Sequence, residues 1–561
     1  MRNITRFSLA TVLLLGASSV LAQNTNSGDI RGTATDASGA VLPGVTVQVE
    51  DVDKGVTTTY ITDKSGLYDT DSIVPDHYTI TFTKPGFKSY VRGPVTLHVE
   101  TITVNGHLTL GATTQTVKVN SDIPLLKTET AAQSTTLTAK TMVNLPEVGA
   151  GWLQFVILMP GTSGRPGNTV NPGEVASVNG NLPYPAFLSD GAEVTLPASE
   201  NAITNIFETI SEVKISTSNF SAQYGIGGVI YNQISKGGAD HFHGVGYEYF
   251  QNNALNAAPY SFGVKAKVPI LHFNNFGGSI SGPIWKHKMF FYFDDDYTTQ
   301  SGGAANGFIT VPTAAMRAGD FTGQPTIYDP TTQTVDAAGV VHRKSFASEY
   351  GNGNRIPAPM IDKVANAIQA YYPVANLPGT LVNGQITNNY FYNIPTPSHM
   401  QRYFGRLDYD VTPNNHIVAS DTQVSNPAIQ RGPGVCPIDC EKTNTEANNA
   451  QISDVWTIRP DTINEARMGF AYAGIFFVPE TLNQNYPTKL GWRFAKANNF
   501  PDIQVAGACC FELQSTGVYT NAVYKQAVFD PSDVVTMIRG RHVLHFGGEF
   551  LATQANLTNR C

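Results

Sequence analysis

The stretch ISKGGADHFHGVGYEYFQ, Ile234 to Gln251, sets His241 and His243 one residue apart, at the head of a regular alternation. On an extended strand, residues two apart point to the same side, and a His-x-His pair is one way a metal site begins. The residues downstream of the pair favour a mechanical role. His243, Val245, Tyr247 and Tyr249 share one face, and Gly244, Gly246 and Glu248 share the other. A period of two, with rings on one side and small or charged groups opposite, describes a strand between two different solvents. We expect the Tyr247/Tyr249 face to meet lipid near a membrane interface. Glu248 and the glycines then meet a wet interior, and the histidines sit at the rim where the strand begins.

The composition points the same way. The chain has 561 residues, room for several domains or one large barrel with appendages. Charged residues make up 14%, against about 25% in an average soluble protein, and there are 24 Tyr and 29 Phe. A formal net charge of −8 gives no support for binding nucleic acid. Residues 1–22 read as a signal peptide: Arg2 and Arg6 form its positive end, Leu9 to Gly16 its apolar run, and Val20-Leu21-Ala22 a small-residue exit. No later run reaches about 18 uninterrupted apolar residues, so no transmembrane helix is predicted. An exported chain still enters a membrane when its strands close into a barrel. All five cysteines lie after residue 435. Outside the cytosol Cys436 and Cys440 in CPIDC suit a small loop disulfide, and a disulfide or free thiols are expected in preference to zinc.

Residues 23–110 read as a small β-sandwich, with turn chemistry every ~8–12 residues around DASG, DKSG, VPDH and KPGF. The stretch resembles the carboxypeptidase-regulatory-like domain, an immunoglobulin-like fold, at Gly32, Asp36, Gly39, Pro43-Gly44, Thr62-Asp63, Gly66, Tyr68, Tyr78 and Gly86-Phe87. His77 stands where that family usually has Gly before the Tyr. The resemblance implies no peptidase activity.

Residues 111–240 mix short strands with a helix-like apolar run at Trp152 to Met159. From 241 to 561 the pattern is strand pairs joined alternately by tight turns and by long spans, roughly 298–399, 425–448 and 475–519. In RYFGRLDYDVTPNNHIVASDTQ, Tyr403, Leu407 and Tyr409 alternate with Arg402, Arg406 and Asp408. Further along, Met468, Phe470 and Tyr472 oppose Glu465 and Arg467, and Leu544, Phe546 and Phe550 oppose His545 and Glu549. Short turns on one rim and long loops on the other describe an outer-membrane barrel whose short side is periplasmic.

These blocks, in order, resemble TonB-dependent outer-membrane transporters of the Oar-like branch. VNLPEVGAGWLQFVILMPGTS, SVNG, FLSDGAEV and ISEVKISTSNFSAQYGIGGVIYNQISKGGADHFHG are similar to that family's plug and its junction with the barrel. NNFGGSISGPI, VPTAAMRAGDFTG and NGNRIPAPMIDKVANAIQAYYPVANLPG are similar to the barrel beyond it. The resemblance implies a mainly β protein made of an immunoglobulin-like sandwich, a mixed α/β plug over 111–240, and part of a transmembrane antiparallel barrel. The family barrel has about 22 strands and only about nine are countable here, so we read the chain as the N-terminal part of a longer receptor or a truncated reading frame.

QTVKV, Gln115 to Val119, resembles the TonB box, with Thr116, Val117 and Val119 at the matching positions. Capture by strand addition needs an extended segment with free backbone groups. The other reading is a last strand of the sandwich or a linker. Asp294 to Asp296 are expected to be solvated residues at the base of a loop, since the spacing of a calcium loop is missing. No catalytic residue, metal site or cofactor is assigned. The expected partners are a TonB-type periplasmic energising protein, outer-membrane lipid and a solute whose class (siderophore, glycan, peptide or vitamin) stays open. The expected function is energised uptake across the bacterial outer membrane, the alternative being a non-transporting surface protein for adhesion or envelope organisation.

Overall fold

The computed structural model describes residues 27–560 apart from 71, 114–115, 120–131, 146–151, 164–176, 180–184, 198–206, 220–223, 225–227, 259–267, 269–270, 303–304, 395–396, 432–439, 460, 493–498, 501–502, 506–512, 517–520 and 540–541. The signal-peptide reading of 1–22, Gln115 and Cys436 lie outside the described residues.

The N-terminal domain is a β-sandwich. One sheet has the order β3-β2-β5-β6-β9: Val56–Ile61, Thr46–Asp51, His77–Thr83, Ser89–Thr96 and Thr116–Val119. The other is built on β1 (Asp29–Asp36), which pairs with β4 (Leu67–Asp69), β7 (Thr101–Thr103) and β8 (Gly106–Leu108). Alternation sends Ile30 and Ala34, Val47 and Val49, and Ile80 and Phe82 into one shared core. The repeated Asp-x-Ser-Gly turns are set by their aspartates. Asp36 Oδ1 accepts from Ser38 and Ala40 N–H, and Asp63 Oδ1 from Ser65 and Leu67 N–H. Gly32 is dictated by close approach, since a Cβ there would lie 1.9 Å from the Val104 carbonyl oxygen.

A second, inner domain holds five strands in the order β10-β15-β16-β13-β14: Gln133–Thr138, Ile210–Ser218, Val229–Ser235, Pro185–Ser189 and Ala192–Glu193. A separate short pair, β11 (Thr162–Ser163) with β12 (Ser177–Val178), lies beside them. The apolar run at Trp152 to Met159 forms a 3₁₀ helix over Trp152–Leu158. Trp152 packs against Phe187 and Tyr231, and Phe155 stacks on Phe207.

The third part is one large antiparallel sheet. Its path runs β17 (His243–Asn252), β18 (Leu271–Trp285), β19 (Met289–Gly302), β20 (Pro397–Thr412), β21 (Asn415–Arg431), β22 (Cys440–Arg459), β23 (Thr462–Pro479) and β24 (Asn521–Arg539). β25 (His542–Glu549) and β26 (Ala552–Arg560) pair with successive halves of β24, so they form one ninth strand interrupted at Phe550–Leu551. That matches the nine strands counted from sequence. Among the described residues the sheet is open and does not close into a barrel. No described helix is long and apolar enough to cross a membrane, which says nothing of crossing by strands.

The loop asymmetry is as expected, with two corrections. Tight turns follow β18, β20, β22 and β24, and the long connections lie at the opposite rim. The span read as 425–448 shrinks to 432–439, because β21 and β22 are 17 and 20 residues long. About 9–11 residues cross the bilayer. Strands this long continue into water, where both faces are polar and TNTEANNAQ no longer alternates. The span between β19 and β20 is a folded module. Arg317 donates to the carbonyls of Gln369, Tyr372 and Pro373, and Asn354 to those of Phe321 and Gln324. Helix α1 (Lys363–Gln369) of this module then shares a core with α2 (Tyr486–Leu490) and Phe500 from the loop between β23 and β24. Tyr371 packs edge-on to Phe500 at 5.1 Å.

The faces of β20 and β23 agree with the sequence reading. Leu407, Met468 and Phe470 are exposed, while Arg406, Asp408, Glu465 and Arg467 are buried on the inner face; on β25 Leu544 and Phe546 are exposed, but so are His545 and Glu549 opposite them. The first strand is reversed. Tyr247 and Tyr249 point inward and Glu248 points out, alongside Phe250 and Phe276. The reason lies on the neighbouring strands. Gly277 stands opposite Tyr247, and a Cβ at Gly277 would lie 2.5 Å from the tyrosine hydroxyl, so the glycine makes room for the ring indoors. Both hydroxyls find carboxylates there that lipid would not supply.

Candidate functional site

The site is the interface between the inner domain and the inner face of the large sheet, closed at the tight-turn rim by the sandwich. Three polar contacts hold the inner domain.

The first is nearest the rim. Strand β20 presents Arg406 and Asp408 on one face, two residues apart. Arg406 Nε and Nη2 donate to the Asp408 carboxylate at 3.0 and 2.7 Å. Its Nη1 crosses to the inner domain and donates to the Ser235 carbonyl at 2.8 Å and to Ser235 Oγ at 3.0 Å. Asp190, in the left-handed turn between β13 and β14, accepts from Ser235 N–H and Oγ at 2.8 and 2.7 Å and from Ser420 Oγ of β21 at 3.0 Å. Arg406, Asp408 and Asp190 are all buried. Here FLSDG, the end of β16 and two adjacent strands of the large sheet share a single hydrogen-bonded ion cluster.

The second contact lies further in. Tyr249 Oη donates to Glu208 Oε1 at 2.7 Å, and Tyr292 Oη to the Glu208 carbonyl at 2.6 Å. Beside it Tyr247 faces Asp294 and Asp296, and Asp296 also receives Asn275 and pairs with Arg402. The expectation that Asp294 to Asp296 are solvated loop-base residues is therefore corrected. They lie mid-strand on β19, with Asp294 and Asp296 buried on the inner face. The sequence pattern missed this because register, not spacing, places Arg402 opposite Asp296.

The third contact joins the β13–β14 hairpin to β23 and β24. Glu193 N–H donates to Asp530 Oδ2 at 2.9 Å, and Ala192 sits against Gly469, where a Cβ would lie 2.6 Å from the alanine methyl. Burial pushes the Glu193 carboxyl up to about 7.

The sandwich docks over this assembly. Glu212 of β15 accepts from Val99 N–H at 2.6 Å and pairs with His98 Nδ1 at 2.5 Å. Asp240 N–H donates to the Asp53 carbonyl at 2.8 Å, and Thr58 Oγ1 to the Pro413 carbonyl in the turn after β20 at 3.3 Å. Between the three parts lies a cavity of about 450 Å³, lined by Tyr60, Lys236, Arg406 and His416 among others. At its sandwich wall Lys54 is buried and bridges Asp76 at 2.6 Å and Asp51 at 3.2 Å. Burial pushes Asp51 up to about 6. Burial acts most strongly on Asp76 too, but Lys54 together with the hydrogen bonds from His77, Asp53 and Lys54 outweighs it and holds that carboxyl well below its usual range.

The described residues bring three ligand-type side chains together only at Asp53, Asp76 and His77, within 4.8 Å. That trio is already neutralised. Lys54 occupies Asp76, and hydrogen bonding to Asp76, then to Asp53, pushes His77 up to about 9. The imidazolium supplies the positive charge that a metal would bring. His241 and His243 sit at the start of β17, where His243 Nδ1 meets the His241 carbonyl.

Thr116, Val117 and Val119 lie in β9, the outermost strand of the sandwich's larger sheet. It runs parallel to β6 with Tyr90 opposite Val117. Cys440 begins β22 and is disulfide-bonded, while Cys436 lies outside the described residues.

A lipid-facing antiparallel sheet that wraps polar contacts around an inner domain, with loops on one rim and a sandwich on the other, is the architecture of an outer-membrane barrel protein. The chain belongs to the outer membrane beta barrel domain family, which it matches over residues 234–560, and it carries a carboxypeptidase regulatory-like domain over 29–111. It is a bacterial outer-membrane protein.

Among curated proteins it is similar to the TonB-dependent transporter Oar of Myxococcus xanthus, 26% identical over 298 residues, which is 50% of this chain and 27% of that protein. Among solved structures it is similar to the outer membrane transporter YddB of Escherichia coli (8% identity, TM-score 0.45, 75% of this chain and 48% of that one). It is also similar to a mutant of the ferric enterobactin receptor PfeA of Pseudomonas aeruginosa (10% identity, TM-score 0.40, 76% and 50%). The chain thus spans about a quarter of the curated relative and about half of these structures.

Proposed function

We propose that this chain is part of a TonB-dependent receptor that takes up a solute across the outer membrane. In this reading the inner domain is the plug, the long-loop rim captures the solute, and a TonB-type periplasmic protein pulls on the 115–119 segment, drawing on the inner-membrane proton gradient. The role is non-enzymatic. The observation that carries the reading is the kind of bond holding the inner domain. Besides its apolar core it is tied to the sheet by Arg406, Glu208, Glu193 and Asp190, whose partners water can replace as the domain moves.

Deleting residues 115–119 from the full-length receptor should abolish energised uptake and leave solute binding at the cell surface intact. Unchanged uptake would overturn the reading. One observation favours a surface-binding role as well: the loops of the outer rim share a core through Tyr371, Tyr486 and Phe500 and present a built surface. Loss of cell adhesion on removing that module, with no uptake defect in the 115–119 deletion, would mark the protein as an adhesin.

A further inference from the structure

The sandwich core closes by residue 111, yet the chain does not leave the domain there. Lys88 N–H donates to the Thr109 carbonyl, Gly111 N–H to the Gly86 carbonyl, and Ser89 Oγ to the Thr113 carbonyl. These bonds lead the chain along β6, and residues 116–119 then add to it in parallel register, Ser89 to Thr116 through Arg92 to Val119. The described side chains of that strand are not used. Thr116, Val117 and Lys118 are exposed, so the strand is held by its backbone. The domain that holds it is itself fastened to the inner domain through Glu212 and to the rim through Asp53 and Thr58.

Resting on the reading of 115–119 as the segment the energising partner captures, we propose that the sandwich stores this segment as its edge strand, so that capture proceeds through release of β9 from β6. Storage has two physical consequences. Backbone groups bonded to β6 are not free for a partner strand, so apparent affinity falls by the fraction of chains in the released state. A pull applied while β9 is stored is also borne first by the sandwich and its docking contacts, not by the inner domain. A four-residue ladder in which the described β9 side chains stay exposed is a weak hold, which suits a catch that must open.

The test is a Val91→Cys/Lys118→Cys pair in the full chain in detergent; these residues stand opposite each other in the ladder. Binding of the purified periplasmic domain of a TonB-type protein is measured by fluorescence anisotropy to the oxidised chain, the reduced chain and a peptide of residues 112–121. The expected order is peptide tightest, reduced chain weaker, and oxidised chain at least ~10-fold weaker than reduced, with reductant restoring the difference. Hydrogen exchange should show the Ser89–Arg92 amides losing protection on capture. Equal binding by oxidised and reduced chains, or unchanged β6 protection on capture, would overturn the proposal and indicate addition to the outer edge of β9. If the peptide itself does not bind, the capture reading falls, and storage falls with it.

Discussion

Replacing Arg406 with Met removes the guanidinium that joins the large sheet to the inner domain while keeping most of the side-chain length. Four hydrogen bonds are lost, two to Asp408 and two to Ser235. The larger effect comes from what stays behind. Asp408 and Asp190 are fully buried, and Asp190 lies 3.8 Å from the same guanidinium. Removing one partner of a buried pair costs about 3–5 kcal/mol, chiefly because the remaining charge is unpaired. His416 stands 3.7 Å from Asp408 and recovers part of this, so the lower end, about 3 kcal/mol, is expected. At ~1.4 kcal/mol per decade that is roughly a hundredfold shift toward an undocked inner domain. Amide exchange at Val229–Ser235 should accelerate by about that factor while exchange in β21 and β22 stays unchanged. Adding Asp408→Asn should recover much of the protection, since it removes the orphaned charge. Unchanged exchange in the single variant would refute the argument that this cluster holds the domain.

Other perturbations act on the same set of contacts. Gly469→Val sets a branched side chain against Ala192 and should loosen the β13–β14 hairpin by about 1–3 kcal/mol, seen as faster exchange at Ser189–Glu193. Burial raises the Glu193 carboxyl, so docking of that hairpin is favoured while the group is protonated and weakens as pH rises through about 7; Glu193→Gln should remove this dependence in a pH series of the same exchange experiment. Hydrogen bonding to Glu212 raises the His98 imidazole, so its contribution to sandwich docking is complete below about 6.5 and is lost as pH rises through the raised value. Crosslinking between the sandwich and the inner domain should fall with alkalinity in the parent and lose that slope in His98→Gln. Tyr247→Phe, which removes the phenol hydroxyl facing Asp294 and Asp296, should cost about 1 kcal/mol in thermal unfolding.

The later strands are legible in the sequence because one face is apolar and the other charged. Arg406/Asp408 against Leu407, and Glu465/Arg467 against Met468, cannot be inverted without burying charge in lipid. Tyr247 and Tyr249 are not legible, since a tyrosine suits either an interface or a polar interior. The deciding feature, Gly277 across the ladder, is a matter of register that periodicity within one strand does not contain. The same limit hides Asp296 opposite Arg402 and the meeting of FLSDG with Arg406, which joins residues over two hundred positions apart. TNTEAN reads as loop because two-sided polarity marks both a loop and a strand that has left the bilayer. QTVKV supports two readings from sequence, and the structure places the described part as an edge strand of the sandwich. A strand so placed remains a candidate for capture once it is released.

The side of the large sheet that meets lipid decides where the buried ion clusters and the inner domain sit. Spin labels at Leu407→Cys, Met468→Cys and Tyr247→Cys, read in membranes for collision with oxygen and with a water-soluble nickel chelate, test it directly. Leu407 and Met468 should be open to oxygen and closed to the chelate, and Tyr247 should show neither lipid-like oxygen access nor the depth dependence of a lipid-facing site. A lipid-exposed Tyr247 with shielded Leu407 and Met468 would contradict it.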